Sequence, residues 1–103
     1  MSTPLQKTED QIARVKQQLL ALGPMRPGSI SRQYRLPQQK QRPFYQISYT
    51  HQMRSRSEYV RPENLSTLRR ETTTFRRFKK LIAQWIALAL KASQLRCRQS
   101  LSP

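Results

Sequence analysis

Three patterns of apolar and polar residues follow one another along the chain. From Thr8 to Leu22, apolar residues recur at intervals of three and four, which places them on one stripe of an amphipathic helix. Thr8 and Gln11, three residues apart, are typical of a capping box at a helix start, and Gly23 with Pro24 ends the pattern. The sequence therefore predicts an N-terminal helix over residues 8–22, with an apolar stripe formed by Ile12, Val15, Leu19 and Leu22.

Between Gly28 and Arg61 the period changes to two, which is typical of β-strands with one buried face. The pattern predicts a three-stranded antiparallel sheet with strands over Ser29–Leu36, Phe44–Thr50 and Ser55–Arg61. Alternation assigns apolar and aromatic side chains to one face: Ile30, Tyr34, Leu36, Tyr45, Ile47 and Tyr49. It assigns polar side chains to the other face: Ser29, Ser31, Gln33, Arg35, Gln46, Ser48 and Thr50. In the third strand, either Tyr59 or Val60 is the buried residue.

A second, longer helix is predicted over residues 62–95, because no helix breaker follows Pro62 and proline is tolerated in a first turn. At 100° per residue its apolar side chains form a stripe that we expect to pack on the sheet and the first helix: Leu68, Phe75, Phe78, Ile82, Ile86 and Ala89, with Trp85 at the flank. A separate apolar line recurs every seven residues: Leu81, Leu88 and Leu95. One short helix cannot cover both, so this line is predicted to contact a second copy of the chain or another protein.

These elements predict an α+β fold: an N-terminal helix, a three-stranded antiparallel sheet and a long C-terminal helix, in a single small basic domain over residues 1–97 with a tail over 98–103. The longest apolar run, LIAQWIALAL, spans ten residues, about half of what a transmembrane helix needs. The N-terminus lacks the charged and apolar regions of a signal peptide. We therefore expect a cytoplasmic protein with no membrane partner.

The charge of the chain is strongly positive. Twenty Lys and Arg against five Asp and Glu give a net charge of +15, which attracts polyanions. Most cations of the sheet region are arginines, which bind phosphate in a bidentate fashion. The sequence predicts an accessory nucleic-acid-binding protein, with double-stranded DNA favoured over RNA and an acidic protein partner as a further alternative. The cations of the sheet and the long helix are expected to share one surface that contacts nucleic acid: Arg32, Arg35, Arg54, Arg56, Arg61, Arg69, Arg70, Arg76, Arg77 and Lys80. Arg26, Lys40 and Arg42 are expected to be outlying phosphate anchors.

Small polar side chains of the sheet are expected to approach a nucleic-acid groove closely: Ser29, Ser31, Gln33, Gln46, Ser48 and Thr50. Catalysis is not predicted. His51, expected in a turn, and Cys97 are the one histidine and the one cysteine, and neither has a second ligand at metal spacing. The five acids are scattered, with no pair placed for acid–base or two-metal chemistry. No enzyme activity, metal or cofactor is therefore expected.

Four segments carry a resemblance to a known family: LGPMRPGSISRQYR, PFYQISYT, RSRSEYVRPENL and the basic-then-apolar long helix. Together they resemble a family of small bacterial proteins of unestablished activity that are commonly encoded beside transposases and other mobile-element genes. The resemblance covers Leu19 to Leu95 and implies association with a mobile element, with a transposase or another element-encoded protein as partner. Many members carry a cysteine-rich insert between the first two strands, whereas the loop here, PQQKQRP, has no cysteine or histidine, so no metal site is implied.

Overall fold

The structure, a computed structural model, describes residues 3–36, 38 and 41–101, and the side chains of all of these except residues 41, 42, 100 and 101. The helices are α1 (Pro4–Leu20) and α2 (Leu65–Leu101), the strands are β1 (Ser29–Leu36), β2 (Gln41–His51) and β3 (Arg54–Val60), and a 3₁₀ turn covers Pro62–Asn64. This is the predicted α+β arrangement of an N-terminal helix, a three-stranded antiparallel sheet and a long C-terminal helix. In the described part of the chain, neither helix is long and apolar enough to cross a membrane.

The first helix begins earlier than predicted, because a different threonine caps it. Thr3 Oγ1 accepts a hydrogen bond from Gln6 N over 3.1 Å, and Gln6 Oε1 accepts one from Thr3 N over 3.2 Å. Pro4 occupies the first helical position, where its missing N–H costs nothing. Thr8, predicted as the cap, is buried inside α1 and donates to Pro4 O over 2.9 Å. The helix ends at Leu20, two residues before the predicted end.

The chain forms two compact units, and the first is helical: it contains α1 and the part of α2 from Arg77 onwards. Lys16 Nζ lies 5.1 Å from the centroid of the Trp85 ring, and Glu9 Oε1 lies 3.6 Å from Arg96 Nη2. The residue nearer the start of α1 contacts the residue nearer the end of α2, so the two helical segments run antiparallel. The side chains buried in this unit are Thr8, Ile12, Val15, Leu81 and Ala92.

Within the helical unit, the predicted packing face of α2 is confirmed in part, since Phe78, Ile82 and Trp85 are half-buried. Leu81 is 2% exposed and Leu88 and Leu95 are half-buried, so the prediction that this leucine line is uncovered is wrong, whereas its contact with a partner stays a prediction. Ile86, predicted to pack, is 65% exposed, and Ala89 is also exposed. Apart from Ile82, the buried and half-buried positions of this part of α2 follow spacings of three and four: Phe78, Leu81, Trp85, Leu88, Ala92 and Leu95.

The physical reason is a change of buried face along α2. Its first part buries or half-buries Leu68, Thr72 and Phe75, whereas the later buried side chains lie on a different face at 100° per residue. A single stripe extended from Leu68 therefore assigned Ile86 and Ala89 to the wrong side. The helix also continues through Leu101, so the predicted tail over 98–103 is helical as far as the structure describes it.

The second unit, Gly23–Arg76, contains the sheet and the first part of α2. The strand order is β1-β2-β3, with both pairs antiparallel. β1 has the predicted bounds, but β2 begins at Gln41, three residues earlier than predicted. The strand thus includes Pro43 and its polar neighbours, although these residue types are poor strand formers. Pro43 pairs with Tyr34 of β1 and lies beyond the end of the pairing with β3, where a missing N–H is tolerated. His51, predicted in a turn, is the last residue of β2 and pairs with Arg54.

The buried face of the sheet is the predicted apolar face. Ile47 is 0% exposed and Val60 3% exposed, so Val60 is the buried residue of β3, whereas Tyr59 is 56% exposed on the opposite face. Gly28 has a φ of +142°, and a Cβ added there would lie 3.0 Å from both Ile47 Cγ1 and Ser48 O. Glycine is therefore required where the chain enters β1, because any side chain would meet the centre of the core.

Gly28→Ala is expected to destabilise the protein by about 1–3 kcal/mol, because its Cβ meets Ile47 and the backbone of Ser48 in a strained conformation. The matched control is Gly23→Ala, since nothing lies within 4 Å of a Cβ added at Gly23. Alanine there restricts the unfolded chain and is expected to leave stability unchanged or slightly raised. Urea unfolding followed by circular dichroism measures both variants. Equal unfolding midpoints would contradict this packing.

Candidate nucleic-acid interface

The face of the sheet opposite to Ile47 is polar and open. We call it the polar face, and the register places these side chains on it: Ser29, Ser31, Gln33, Arg35, Phe44, Gln46, Ser48, Thr50, Ser55, Ser57 and Tyr59. Cross-strand hydroxyl pairs join Ser48 to Ser57 over 3.0 Å and Thr50 to Ser55 over 3.1 Å. The predicted alternation is thus confirmed for the six small polar residues expected to face a groove, because all six lie on this face.

The other face of the sheet contributes to a cleft that holds three arginines. This arginine cleft has an open volume of about 470 Å³ and is lined by β1, β2 and the first part of α2. Its lining residues are Ile30, Arg32, Tyr45, Arg69, Thr72, Thr73 and Arg76. Three of the seven are cations and none is an acid. A cleft of this size accommodates a group as large as a nucleotide.

Helical spacing brings the α2 residues into the cleft. Arg69, Thr72, Thr73 and Arg76 are separated by three, one and three residues, and therefore lie on neighbouring positions of one side of the helix. Thr72 is buried and donates its hydroxyl to Arg69 O over 3.1 Å, which satisfies its polar group. Thr73 Oγ1 accepts a hydrogen bond from Arg76 Nη2 over 3.2 Å and so orients the Arg76 side chain.

Aromatic rings hold two of the cleft arginines. The guanidinium carbon of Arg69 lies 5.3 Å from the centroid of the Tyr45 ring, and that of Arg32 lies 5.2 Å from the centroid of the Tyr34 ring. A ring attracts a guanidinium through its quadrupole without neutralising the positive charge. It also occupies no N–H donor, since those donors lie in the guanidinium plane. The cleft thus retains both charge and hydrogen-bonding capacity for an anion.

Arg26, predicted as an outlying phosphate anchor, is already paired within the protein. Its Nη2 lies 2.7 Å from Glu58 Oε2, and its guanidinium lies 5.4 Å from the centroid of the Tyr49 ring. Tyr49 donates its hydroxyl to Glu58 Oε1 over 2.7 Å, and Arg26 N donates to Glu71 O over 3.1 Å. Arg26 therefore ties the segment before β1 to β3 and α2, and its assignment as a phosphate contact stays a prediction.

Hydrogen bonding in this network shifts two pKa values in opposite directions. The hydrogen bond from Tyr49, followed by the one from Arg26, lowers the pKa of Glu58 below its ordinary value. The same bond to Glu58, with desolvation as a second cause, raises the pKa of the Tyr49 hydroxyl above its ordinary value. Both shifts favour the state in which Glu58 is ionised and Tyr49 keeps its proton.

The other predicted cations do not join the arginine cleft. Arg54 and Arg56 are exposed on β3, opposite His51 and Tyr49, which puts them about 13–20 Å along the strands from the row of Tyr45. The remaining described ones are exposed at other positions: Arg35 on the polar face, Arg61 after β3, Arg70 on α2, and Arg77 and Lys80 in the part of α2 that belongs to the helical unit. Lys40 and the side chain of Arg42 lie outside the described residues.

Two observations within the sheet unit bear on the predicted common surface. Arg32 of the sheet and Arg69 and Arg76 of α2 line one cleft together. The small polar residues lie on the opposite face of the sheet from these arginines, so the two predicted sets do not form one continuous contact area. No face was predicted for Phe44 from the sequence. The spacing of two between Phe44 and Gln46 places Phe44 on the polar face.

In residues 3–36, 38 and 41–101, no group of three or more His, Cys, Asp and Glu side chains is placed to hold a metal ion. Comparison of the chain with profiles of known protein families, with curated proteins and with solved structures finds no match.

The Glu58 network predicts a specific pH dependence. Because the folded-state pKa of Glu58 lies below its ordinary value of 4.5, its ionised form stabilises the folded protein above that pH, and the contribution is lost as the pH falls through the folded-state pKa. Glu58→Gln is therefore expected to lower the melting temperature at neutral pH, with a difference from the wild type that disappears in acid.

Thermal unfolding between about pH 7 and pH 3 measures this difference. Asp10→Asn, at an exposed position of α1, is the control that removes one carboxylate elsewhere. A difference between the wild type and Glu58→Gln that stays constant over this pH range would show that the ionised carboxylate contributes nothing to stability.

Proposed function

We propose that the protein binds nucleic acid through the arginine cleft, with double-stranded DNA as the preferred ligand. The observation that carries the proposal is the convergence of Arg32, Arg69 and Arg76 on one open cleft whose lining contains no carboxylate. Three guanidinium groups in one cleft repel each other unless an anion lies between them. A phosphate group relieves that repulsion and accepts paired N–H donors from each guanidinium.

A polymeric ligand is favoured over a free anion by the charge of the whole chain. The net charge of +15 extends well beyond the cleft and attracts a polyanion from a distance. Phosphate contacts made by exposed cations outside the cleft then add to affinity without reading sequence. The cleft supplies the fixed contacts, and the remaining cations supply the attraction.

The preference for double-stranded DNA rests on the rigidity of the arginine positions. Arg69 and Arg76 are seven residues apart on one helix, which separates their Cα atoms by about 10 Å along its axis. A fixed row of charges suits a ligand whose phosphates are themselves regularly spaced. The resemblance to proteins encoded beside transposases supports an accessory role in handling the DNA of a mobile element.

Each of the variants Arg32→Ala, Arg69→Ala and Arg76→Ala is expected to weaken binding to a random-sequence DNA duplex. Each is also expected to reduce the slope of log K against log salt concentration by about one, because one phosphate contact and its released counterion are lost. Fluorescence anisotropy with a labelled duplex, repeated at several salt concentrations, measures both effects. Arg69→Lys keeps the charge but not the bidentate geometry, so it is expected to lower affinity with little change in slope.

Lys7→Ala is the matched control, since it removes one exposed positive charge from α1 in the helical unit. Its effect on affinity and slope is expected to be smaller than that of any cleft variant. Equal effects of all four alanine substitutions would show that binding is diffuse and that the cleft has no special part in it. Displacement of the labelled DNA at lower concentrations of an RNA duplex than of unlabelled DNA would assign the cleft to RNA.

A further inference from the structure

Two aromatic side chains lie on the polar face, outside the hydrophobic core. Phe44 of β2 and Tyr59 of β3 have ring centroids 6.5 Å apart, with their planes inclined by 39°. Tyr59 is 56% exposed and Phe44 is half-buried. Ile47 and Val60 fill the core on the other face of the same two strands. The two rings therefore form an apolar patch in the middle of a face made of hydroxyl and amide groups.

A third planar group extends this patch onto β1. The guanidinium carbon of Arg35 lies 5.6 Å from the centroid of the Phe44 ring. Arg35, Phe44 and Tyr59 thus place one planar group on each strand of the sheet. Among the side chains that the structure describes on the polar face, Arg35 is the one charged group. The patch consequently combines aromatic surface with a positive charge.

Hydrogen-bonding groups surround the planar patch. Gln33 pairs with Phe44 across β1 and β2, while Gln46 pairs with Tyr59 across β2 and β3 and with Ser31 across β1 and β2. Each glutamine amide has two donors and an acceptor, and the serine hydroxyl has one donor and two lone pairs. Gln33 Nε2 donates one hydrogen bond to Ser31 Oγ over 3.2 Å, and the remaining donors and acceptors of these groups face the surroundings of the patch. Side chains of this kind match the mixed donors and acceptors on the edge of a nucleobase, whereas a purely apolar patch would match only its faces.

We propose that the polar face binds unpaired nucleotides of a single-stranded nucleic acid, with bases stacked on Phe44 and Tyr59 and a phosphate or base contacting Arg35. Every base has a π-face, so stacking on aromatic side chains combined with positive charge is a general means of holding a single strand. A second copy of this chain is the poorer occupant, because it would bring a second Arg35 and a second strongly positive surface against the first.

This site is distinct from the arginine cleft and takes a different ligand. Alternate residues of β2 contribute to the two sites: Tyr45 lines the cleft, whereas Phe44 and Gln46 lie on the polar face. Bases paired in a duplex keep their faces covered by their neighbours, so the aromatic patch selects for unpaired bases. A protein with both sites binds single-stranded and double-stranded regions through opposite faces of one sheet.

The test compares two labelled oligonucleotides of equal length in fluorescence anisotropy: oligothymidine and a fully abasic strand with the same number of phosphates. The wild-type protein is expected to bind oligothymidine more tightly, because stacking requires a base. Tyr59→Ala is expected to weaken oligothymidine binding by about 5- to 150-fold and to leave abasic binding unchanged. Tyr59→Phe, which keeps the ring, is expected to retain wild-type affinity for both.

Tyr59→Ala is the decisive variant because the Tyr59 side chain is exposed. Phe44→Ala is a second test of stacking, provided that its circular dichroism spectrum is native. Equal wild-type affinities for the two strands, or wild-type affinity of Tyr59→Ala for oligothymidine, would overturn the proposal. So would sedimentation showing that the wild type is a dimer and that Tyr59→Ala is a monomer, because a second copy would then occupy the face.

The outcomes separate this proposal from the duplex-binding function. Substitution of Arg32, Arg69 or Arg76 by alanine is expected to weaken duplex binding while preserving the ratio of oligothymidine to abasic affinity. Tyr59→Ala is expected to abolish that ratio while preserving duplex binding. If the cleft substitutions do not weaken duplex binding, the arginine cleft is the wrong site for a duplex. If Tyr59→Ala does not abolish the ratio, the polar face is the wrong site for unpaired bases.

Discussion

The contact of cations with aromatic rings is the interaction on which the surface chemistry of this protein depends. Five acids cannot pair with twenty bases, so most cations require another means of being positioned. Rings serve this purpose in both units, beneath arginines of the sheet unit and beneath Lys16 of α1. Each such contact contributes about 0.5–1 kcal/mol at an exposed site, enough to favour one orientation of the side chain. Because the charge is not cancelled, the cation remains able to attract an anion.

The central strand determines which chemistry each face of the sheet presents. Along β2, Tyr45 and Ile47 point to the face that bears the core and the arginine cleft, and Phe44, Gln46 and Ser48 point to the polar face. A slip of one residue in the pairing would exchange the two sets completely. Complete burial of Ile47 and the close approach of Gly28 to it oppose such a slip, since a slip would move Ile47 out of the core. Core packing therefore fixes the placement of the candidate binding groups.

The sequence predicted the sheet more accurately than the helices, for a geometric reason. A period of two assigns each strand residue to a face without accumulating error, so the polar face was recovered from alternation alone. A helix requires a phase that is carried along its length, and α2 changes its buried face between Phe75 and Leu81. The capping error at Thr8 arose because two Thr-x-x-Gln pairs occur in sequence, and Pro4 beside Thr3 distinguishes them. Contacts between distant segments, such as those of the arginine cleft, have no periodic signal at all.

The position of Glu58 explains how the arginine cleft remains without a carboxylate. Glu58 is the one acid among the described strand residues, and it lies in the row of Ile47, next to the row of Tyr45 that lines the cleft. Two residues along a strand amount to about 7 Å, so a free carboxylate at this position would reach toward the cleft cations. Both of its oxygens are instead engaged, one by Tyr49 and the other by Arg26. Arg26 thus holds, together with Tyr49, the one carboxylate of the described strands that would otherwise be free to approach the three cleft arginines.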